Sequence, residues 1–190
     1  MSNIRLFFPE SLSINLTAKL DKSQSHYVNK VMRIKVNEVF SLFNSSGEWE
    51  AKILDISKSV IEFNITKQLR QKENTKELWL AFSPIKSNYF NFMIQKATEL
   101  GVTKFLPIIF DRTIVRKINK ERIEKVIIEA AEQSNRINVP SIEEPQNLKS
   151  FLNNKIDLIF TDLNSKNKKL DLVKLTENPT CIIIGPEGDF

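Results

Sequence analysis

Along the first seventy residues, apolar side chains recur at every second position. Leu12, Ile14, Leu16, Ala18 and Leu20 alternate with Ser13, Asn15, Thr17 and Lys19 without a break, the pattern of a half-buried strand. Trp49, Ala51 and Ile53 repeat this spacing, as do Ile61, Phe63 and Ile65; residues 4–8 and 39–43 are shorter strands. Gly47, after Asn44-Ser45-Ser46, marks a hairpin turn. One interruption has helical spacing: Tyr27, Val31 and Ile34, with Val28 and Met32, share a face behind Ser23 or Ser25 as a cap. About five strands and one short helix predict a small β-barrel over residues 1–70.

Residues 67–77 are polar and charged apart from Leu69, which predicts a linker and a domain boundary. Beyond it, strand and helix alternate. Residues 78–82 read as a strand stopped by Ser83-Pro84, and 89–100 as a helix with Phe92, Met93, Lys96, Ala97 and Leu100 at helical spacing, capped by Gly101. Residues 104–110 are a strand and 119–136 a helix closed by Pro140, with Ile123, Val126, Ile127 and Ala130 on one side. The apolar runs 156–161 and 180–184 are short enough for central strands. Strands separated by helices predict an α/β domain with a parallel sheet over residues 71–190.

Composition removes several functions. The chain has 190 residues, and its 28 Lys+Arg against 23 Asp+Glu leave a net charge of +5, which permits a nucleic-acid partner. The lone Cys181 excludes a disulfide framework, and with the lone His26 it cannot form an ordinary zinc site, so no metal is expected. A Ser-His or Cys-His nucleophilic centre would have to use His26, which reads better as a helix-start residue. The opening residues contain no long apolar run, so a cytoplasmic protein without a signal peptide or membrane span is expected.

Ligands of open α/β sheets bind outside the carboxyl ends of the strands. Cys181-Ile182-Ile183-Ile184 running into Gly185-Pro186-Glu187-Gly188 is such an end. Two glycines let backbone approach a ligand, Pro186 stiffens the loop, and Glu187 suits a hydroxyl or amine partner better than a phosphate. The spacing matches neither a dinucleotide fingerprint nor a phosphate loop, and a plain strand-to-helix turn is compatible with it.

Ile183-Ile184-Gly185-Pro186-Glu187-Gly188 resembles the signature of the SPOUT methyltransferases that modify bacterial 16S ribosomal RNA at uracil N3. Other stretches agree with that family in the same order: His26-Tyr27 with Val31-Met32-Arg33, Gln95 to Val102, Arg112-Thr113, and Glu129 to Arg136 followed by Val139-Pro140. The resemblance implies a PUA-like RNA-binding barrel, then an α/β domain with a trefoil knot, S-adenosylmethionine as cofactor, the small ribosomal subunit as partner, and a homodimer. It also implies a cofactor pocket formed by Thr161, Asp162 and Leu163 on one side and Ile184, Gly185, Pro186, Glu187 and Gly188 on the other.

Within that resemblance Arg112, Arg136 and Glu187 are candidate catalytic groups, and Arg5, Arg33, Lys86 and Arg112 candidate RNA contacts. Arg136 also reads as an i,i+4 partner of Glu132 on the same helix. The chain departs from the family at Asp189, where a second Gly is usual, at Tyr89 and Asn91, and at Asn37, which replaces a turn Gly. The family continues past the cofactor loop, so a missing C-terminal segment is expected. The alternatives are a SPOUT methyltransferase for another RNA, and a non-catalytic RNA-binding module if the chain truly ends at residue 190.

Overall fold

The computed structural model describes residues 4–72, 75–161 and 177–186. The chain separates into two compact units: Met1–Asn74 together with Asn135–Asn138, and Thr75–Ser134 together with Val139–Phe190.

The first unit is a five-stranded sheet in the order β1-β3-β4-β5-β2. Its strands are β1 (Arg5–Phe7), β2 (Thr17–Lys19), β3 (Val39–Asn44), β4 (Gly47–Ser57) and β5 (Val60–Gln71). All neighbours are antiparallel except β1 and β3. The alternating residues do what their spacing predicts: Leu6, Leu42, Ala51, Ile53, Ile61, Phe63 and Ile65 meet in one core. Three register shifts between β4 and β5 bend these long strands. No pairing joins β1 to β2 among the described residues, so the barrel remains an open sheet around its core.

Gly47 holds the β3–β4 hairpin for two reasons. Its φ of +131° lies outside the range of L side chains, and a Cβ there would stand 2.3 Å from the Arg70 carbonyl oxygen. Three other readings are corrected. The 12–20 run is a strand only over Thr17–Lys19, because Asn15 turns left-handed at φ 64° and leaves Ile14 in water. The helix begins earlier, as α1 (Lys22–His26) capped by the Asp21 side chain, and continues as a π-helical turn over Tyr27–Val31. That turn buries Val28 and exposes Tyr27, Val31 and Met32, so the expected face is split. The third concerns the linker, whose first part is the end of β5, where Lys67 pairs with Glu50 and Arg70 with Glu48 across the strands.

Arg5 is the main correction to the expected RNA contacts. Its side chain is 7% exposed, ion-paired with Glu48 at 3.2 Å and stacked on Phe43 at 3.6 Å. It also donates to the Arg136 carbonyl at 2.5 Å, while Arg70 donates to the Asn135 carbonyl at 3.0 Å. A guanidinium committed to these partners is not available to a phosphate. Glu48, flanked by both arginines, thus anchors the four residues 135–138 to the sheet.

The second unit is a parallel sheet in the order β10-β11-β6-β7-β8, with β9 also on β7. Its elements are β6 (Leu78–Phe82), α2 (Ser87–Glu99), β7 (Lys104–Ile109), α3 (Lys120–Gln133), β8 (Ser141–Ile142), β9 (Gln146–Asn147), α4 (Leu148–Phe151), β10 (Asp157–Phe160) and β11 (Thr180–Ile184). Leu80, Phe82 and Phe105 face α2 and α3 through Phe90, Ile94, Ile123 and Ile127. Ala81, Leu106, Cys181 and Ile183 pack on the other face with Phe151 of α4. Cys181 is fully buried, and desolvation pushes its thiol up to about 11, so it stays protonated near neutrality. Gly101 follows α2 at φ 108°, the expected left-handed stop. The Asn119 side chain caps α3, which ends at Gln133 rather than at 136, because Asn135 turns left-handed at φ 61°. Arg136 therefore lies beyond the helix rather than on it.

Truncating Glu48 leaves the buried Arg5 without its carboxylate. Glu48→Ala should cost about 3 kcal/mol of stability, read as a lower urea midpoint. A loss below about 1 kcal/mol would show that the ion cluster does not hold this unit.

Candidate active site

The order of the parallel sheet places a reversal at its centre. From β6 the chain moves outward to β7 and β8, then returns to the other side of β6 as β11. A crevice at such a switch point, outside the carboxyl ends of the strands, is where α/β sheets bind ligands. The segments at this edge are Thr161 after β10, Ile184-Gly185-Pro186 at and after β11, Ser83 to Lys86 after β6, and Phe110 to Arg116 after β7.

Short hydrogen bonds tie these segments together. The Ser83 amide donates to the Ile184 carbonyl at 3.1 Å, and the Thr161 hydroxyl donates to the Ile183 carbonyl at 2.9 Å. The Ser83 and Thr113 hydroxyls bond to each other at 3.0 Å, both buried, and the Phe110 amide donates to the Thr113 hydroxyl at 2.8 Å. Ser83 thus reaches β11 with its backbone and the loop after β7 with its side chain. Nothing in the sequence reading assigned this role to Ser83 or Thr113. Thr113 did stand in the Arg-Thr pair, but a hydroxyl's partners depend on which strands are neighbours.

The expected site residues fall into distinct places. Ile184 is partly exposed at the end of β11, Gly185 and Pro186 follow it half-buried, and Thr161 is exposed beside them. Asp162, Leu163, Glu187 and Gly188 lie outside the described residues, as does Asp189; of the loop placed in the knot, only Gly185 and Pro186 are described. Arg112 is exposed in the turn after β7, and Lys86 is exposed just before α2, which has no side-chain cap. Arg136 is half-buried and packs with the first unit, and burial lowers its guanidinium below the usual value. Arg33 is exposed in the first unit at a left-handed φ of 58°. The described residues contain no cluster of three metal-ligating side chains. None of their helices is long and apolar enough to cross a membrane.

A sheet-edge site with hydroxyl-braced loops, in a chain that also carries a small β unit, is the architecture of a class of RNA-modifying transferases. Residues 72–190 match the family described as RNA methyltransferase domain, and residues 20–66 match RNA methyltransferase PUA domain. Two curated relatives, each called ribosomal RNA small subunit methyltransferase E, align over 98% of the chain. The Rickettsia conorii protein is 34% identical with 79% of its length covered, and the Buchnera aphidicola (strain APS) protein is 32% identical with 78% covered. The crystal structure of the Neisseria gonorrhoeae protein of that name, bound to S-adenosyl methionine, superimposes with a TM-score of 0.88 at 27% identity. It covers 99% of this chain and 81% of that one. A Legionella pneumophila protein solved in complex with SAM gives a TM-score of 0.84 at 28% identity, covering 100% of this chain and 82% of that one. The chain belongs to the ribosomal RNA small subunit methyltransferase E family, with its PUA and methyltransferase domains in the family order. It spans about four-fifths of the length of these relatives.

Thr113→Val keeps the shape but removes the hydroxyl that bridges Phe110 and Ser83. It should lower stability by about 1–3 kcal/mol by leaving buried polar groups without this partner. Amide hydrogen exchange at Phe110 should accelerate in the variant; unchanged exchange would show that the bridge does not brace the loop.

Proposed function

We propose that this protein transfers a methyl group from S-adenosylmethionine to N3 of a uracil in the 16S ribosomal RNA of the small subunit. The observation that carries this reading is the likeness over 98% of the chain to relatives named for small-subunit ribosomal RNA methylation. The N3 position rests on the ordered motifs, of which Gly185-Pro186-Glu187-Gly188 is the most specific.

The described residues fit the cofactor. Ile184 offers an apolar surface at the end of β11, Gly185 keeps the adjacent backbone uncovered by a side chain, and the Thr161 hydroxyl lies one strand away. These three residues offer a neutral, partly apolar surface, suited to an adenosyl group rather than to phosphates. Asp162, Leu163, Glu187 and Gly188 complete the proposed pocket. When bound, the cofactor supplies an electrophilic methyl group on a sulfonium.

The work left to the protein is orientation and charge. Uracil N3 must lose its proton to become a nucleophile, and the charge released spreads onto the neighbouring carbonyl oxygens. Arg112, exposed at the sheet edge, is the proposed donor to those oxygens. Glu187 is the proposed acceptor of the proton, and Arg136 a second donor. Arg33 and Lys86, both exposed, are the proposed backbone contacts. The protein is proposed to act in the cytoplasm as a homodimer, a state supported by the apolar side chains of Tyr89 and Phe92 that α2 leaves in water, with Leu100 beyond its end.

Ribosomal RNA from cells lacking the gene should contain less N3-methyluridine by mass spectrometry of nucleosides, and the purified protein should restore it. An undiminished level would overturn the substrate. Arg112→Ala should lower kcat by about 100-fold while leaving cofactor affinity by calorimetry and the thermal midpoint unchanged. Unchanged turnover would remove Arg112 from the site.

A further inference from the structure

Beside the cofactor edge, the loops after β6 and β7 and the first turns of α2 and α3 enclose a cleft of about 160 Å³. Its walls are apolar, formed by Ile85, Phe90, Val115 and Ile118, with the buried Ile123 below. Asn91, Lys117, Asn119 and Arg122 also line it. The Lys117 and Arg122 side chains are exposed, with no ion pair or side-chain hydrogen bond among the described residues. Across residues 84–91 and 111–123, six Lys or Arg stand against two Asp or Glu.

These features select a ligand with two unlike parts. A free phosphate would not use the apolar walls, and an acyl chain would not use the cations. A nucleotide uses both, since its base is flat and apolar on its faces and its phosphate is anionic. The small volume admits one base, and a duplex keeps its bases covered by their neighbours.

We propose that this cleft holds one unpaired base of the RNA strand, with flanking phosphates on Lys117 and Arg122 and the Asn91 amide on the base edge. The choice of RNA rests on the methyltransferase reading above. The loops that line the cleft follow β6 and β7, which lie one and two strand spacings, roughly 5 and 10 Å, from β11. The cleft therefore receives a base flanking the methylated one, and it gives the enzyme a way to read the sequence beside its target.

The test uses the intact protein and a fluorescein-labelled ten-nucleotide RNA of mixed sequence, single-stranded or paired with its complement, with affinity read by anisotropy. Val115→Trp fills the cleft and should weaken binding of the single strand about tenfold and of the duplex less than twofold. The double variant Lys117→Glu/Arg122→Glu should weaken both and flatten the salt dependence. Equal losses for single strand and duplex with Val115→Trp, or no loss, would overturn the proposal. If circular dichroism shows that Val115→Trp does not fold, Asn91→Ala decides: it should weaken the single strand about threefold, and an unchanged affinity overturns the cleft. The two readings fail separately. Cleft-dependent binding with undiminished N3-methyluridine in the gene deletion would sink the substrate and keep the cleft, and the converse would sink only the cleft.

Discussion

Everything at the site depends on one pairing between distant parts of the chain. β6 lies in register with β11, Leu78 opposite Thr180 through Phe82 opposite Ile184. Each strand alone is a short apolar run that could serve any buried sheet. Paired, they put Ser83 beside Ile184 and so join β11 to the β6–β7 pair, whose own register brings Thr113 within reach of the Ser83 hydroxyl. Parallel pairing demands a long connection, and the chain uses it to build both helical layers before returning. The site is therefore a product of topology, with most of its bracing supplied by backbone carbonyls and three small hydroxyls.

The elements that the sequence revealed best are those whose periodicity serves a single core. The strands around Ala51, Ile53, Ile61, Phe63 and Ile65 are of this kind, as is α2 with its glycine stop. Alternation misled where one side of the pattern met a loop, as between Leu12 and Leu16, because apolar residues also fill the space under turns. Charge misled between residues 67 and 71. Lys67 and Arg70 look like linker residues in isolation, but each finds a carboxylate on the neighbouring strand. The short β8, β9 and α4 went unread because two or four residues carry no period. Pro107 shows why their placement matters: β7 pairs with β8 at Lys104 and Phe105 and with β9 at Ile108 and Ile109. The proline, which brings no N–H, falls in the gap between these two pairings.

The candidate site was legible in a different way. Ile184, Gly185 and Pro186 could be found because a glycine-bearing loop after an apolar run is a local signal. Arg112 stands out because it belongs to a motif, and the fold places it exposed in the turn after β7. Arg5 could not be told from a surface cation, since only the fold places Glu48 and Phe43 around it. The cleft beside β7 was hidden for the same reason: Ile85, Phe90, Val115 and Ile118 come from two separate stretches and read as ordinary core or loop.

The clasp of Arg5, Arg70 and Glu48 on residues 135 and 136 also bears on how the chain is born. Arg70 leaves the ribosome 65 residues ahead of the Asn135 carbonyl that it will hold. At about 5–20 residues per second, that is a delay of roughly 3–13 seconds. During this interval the first sheet can collapse around its core, but two of its cations lack the carbonyls they will hold. The N-terminal unit is first in sequence but cannot finish before α3 has been made, so its completion is a signal that synthesis has passed that helix.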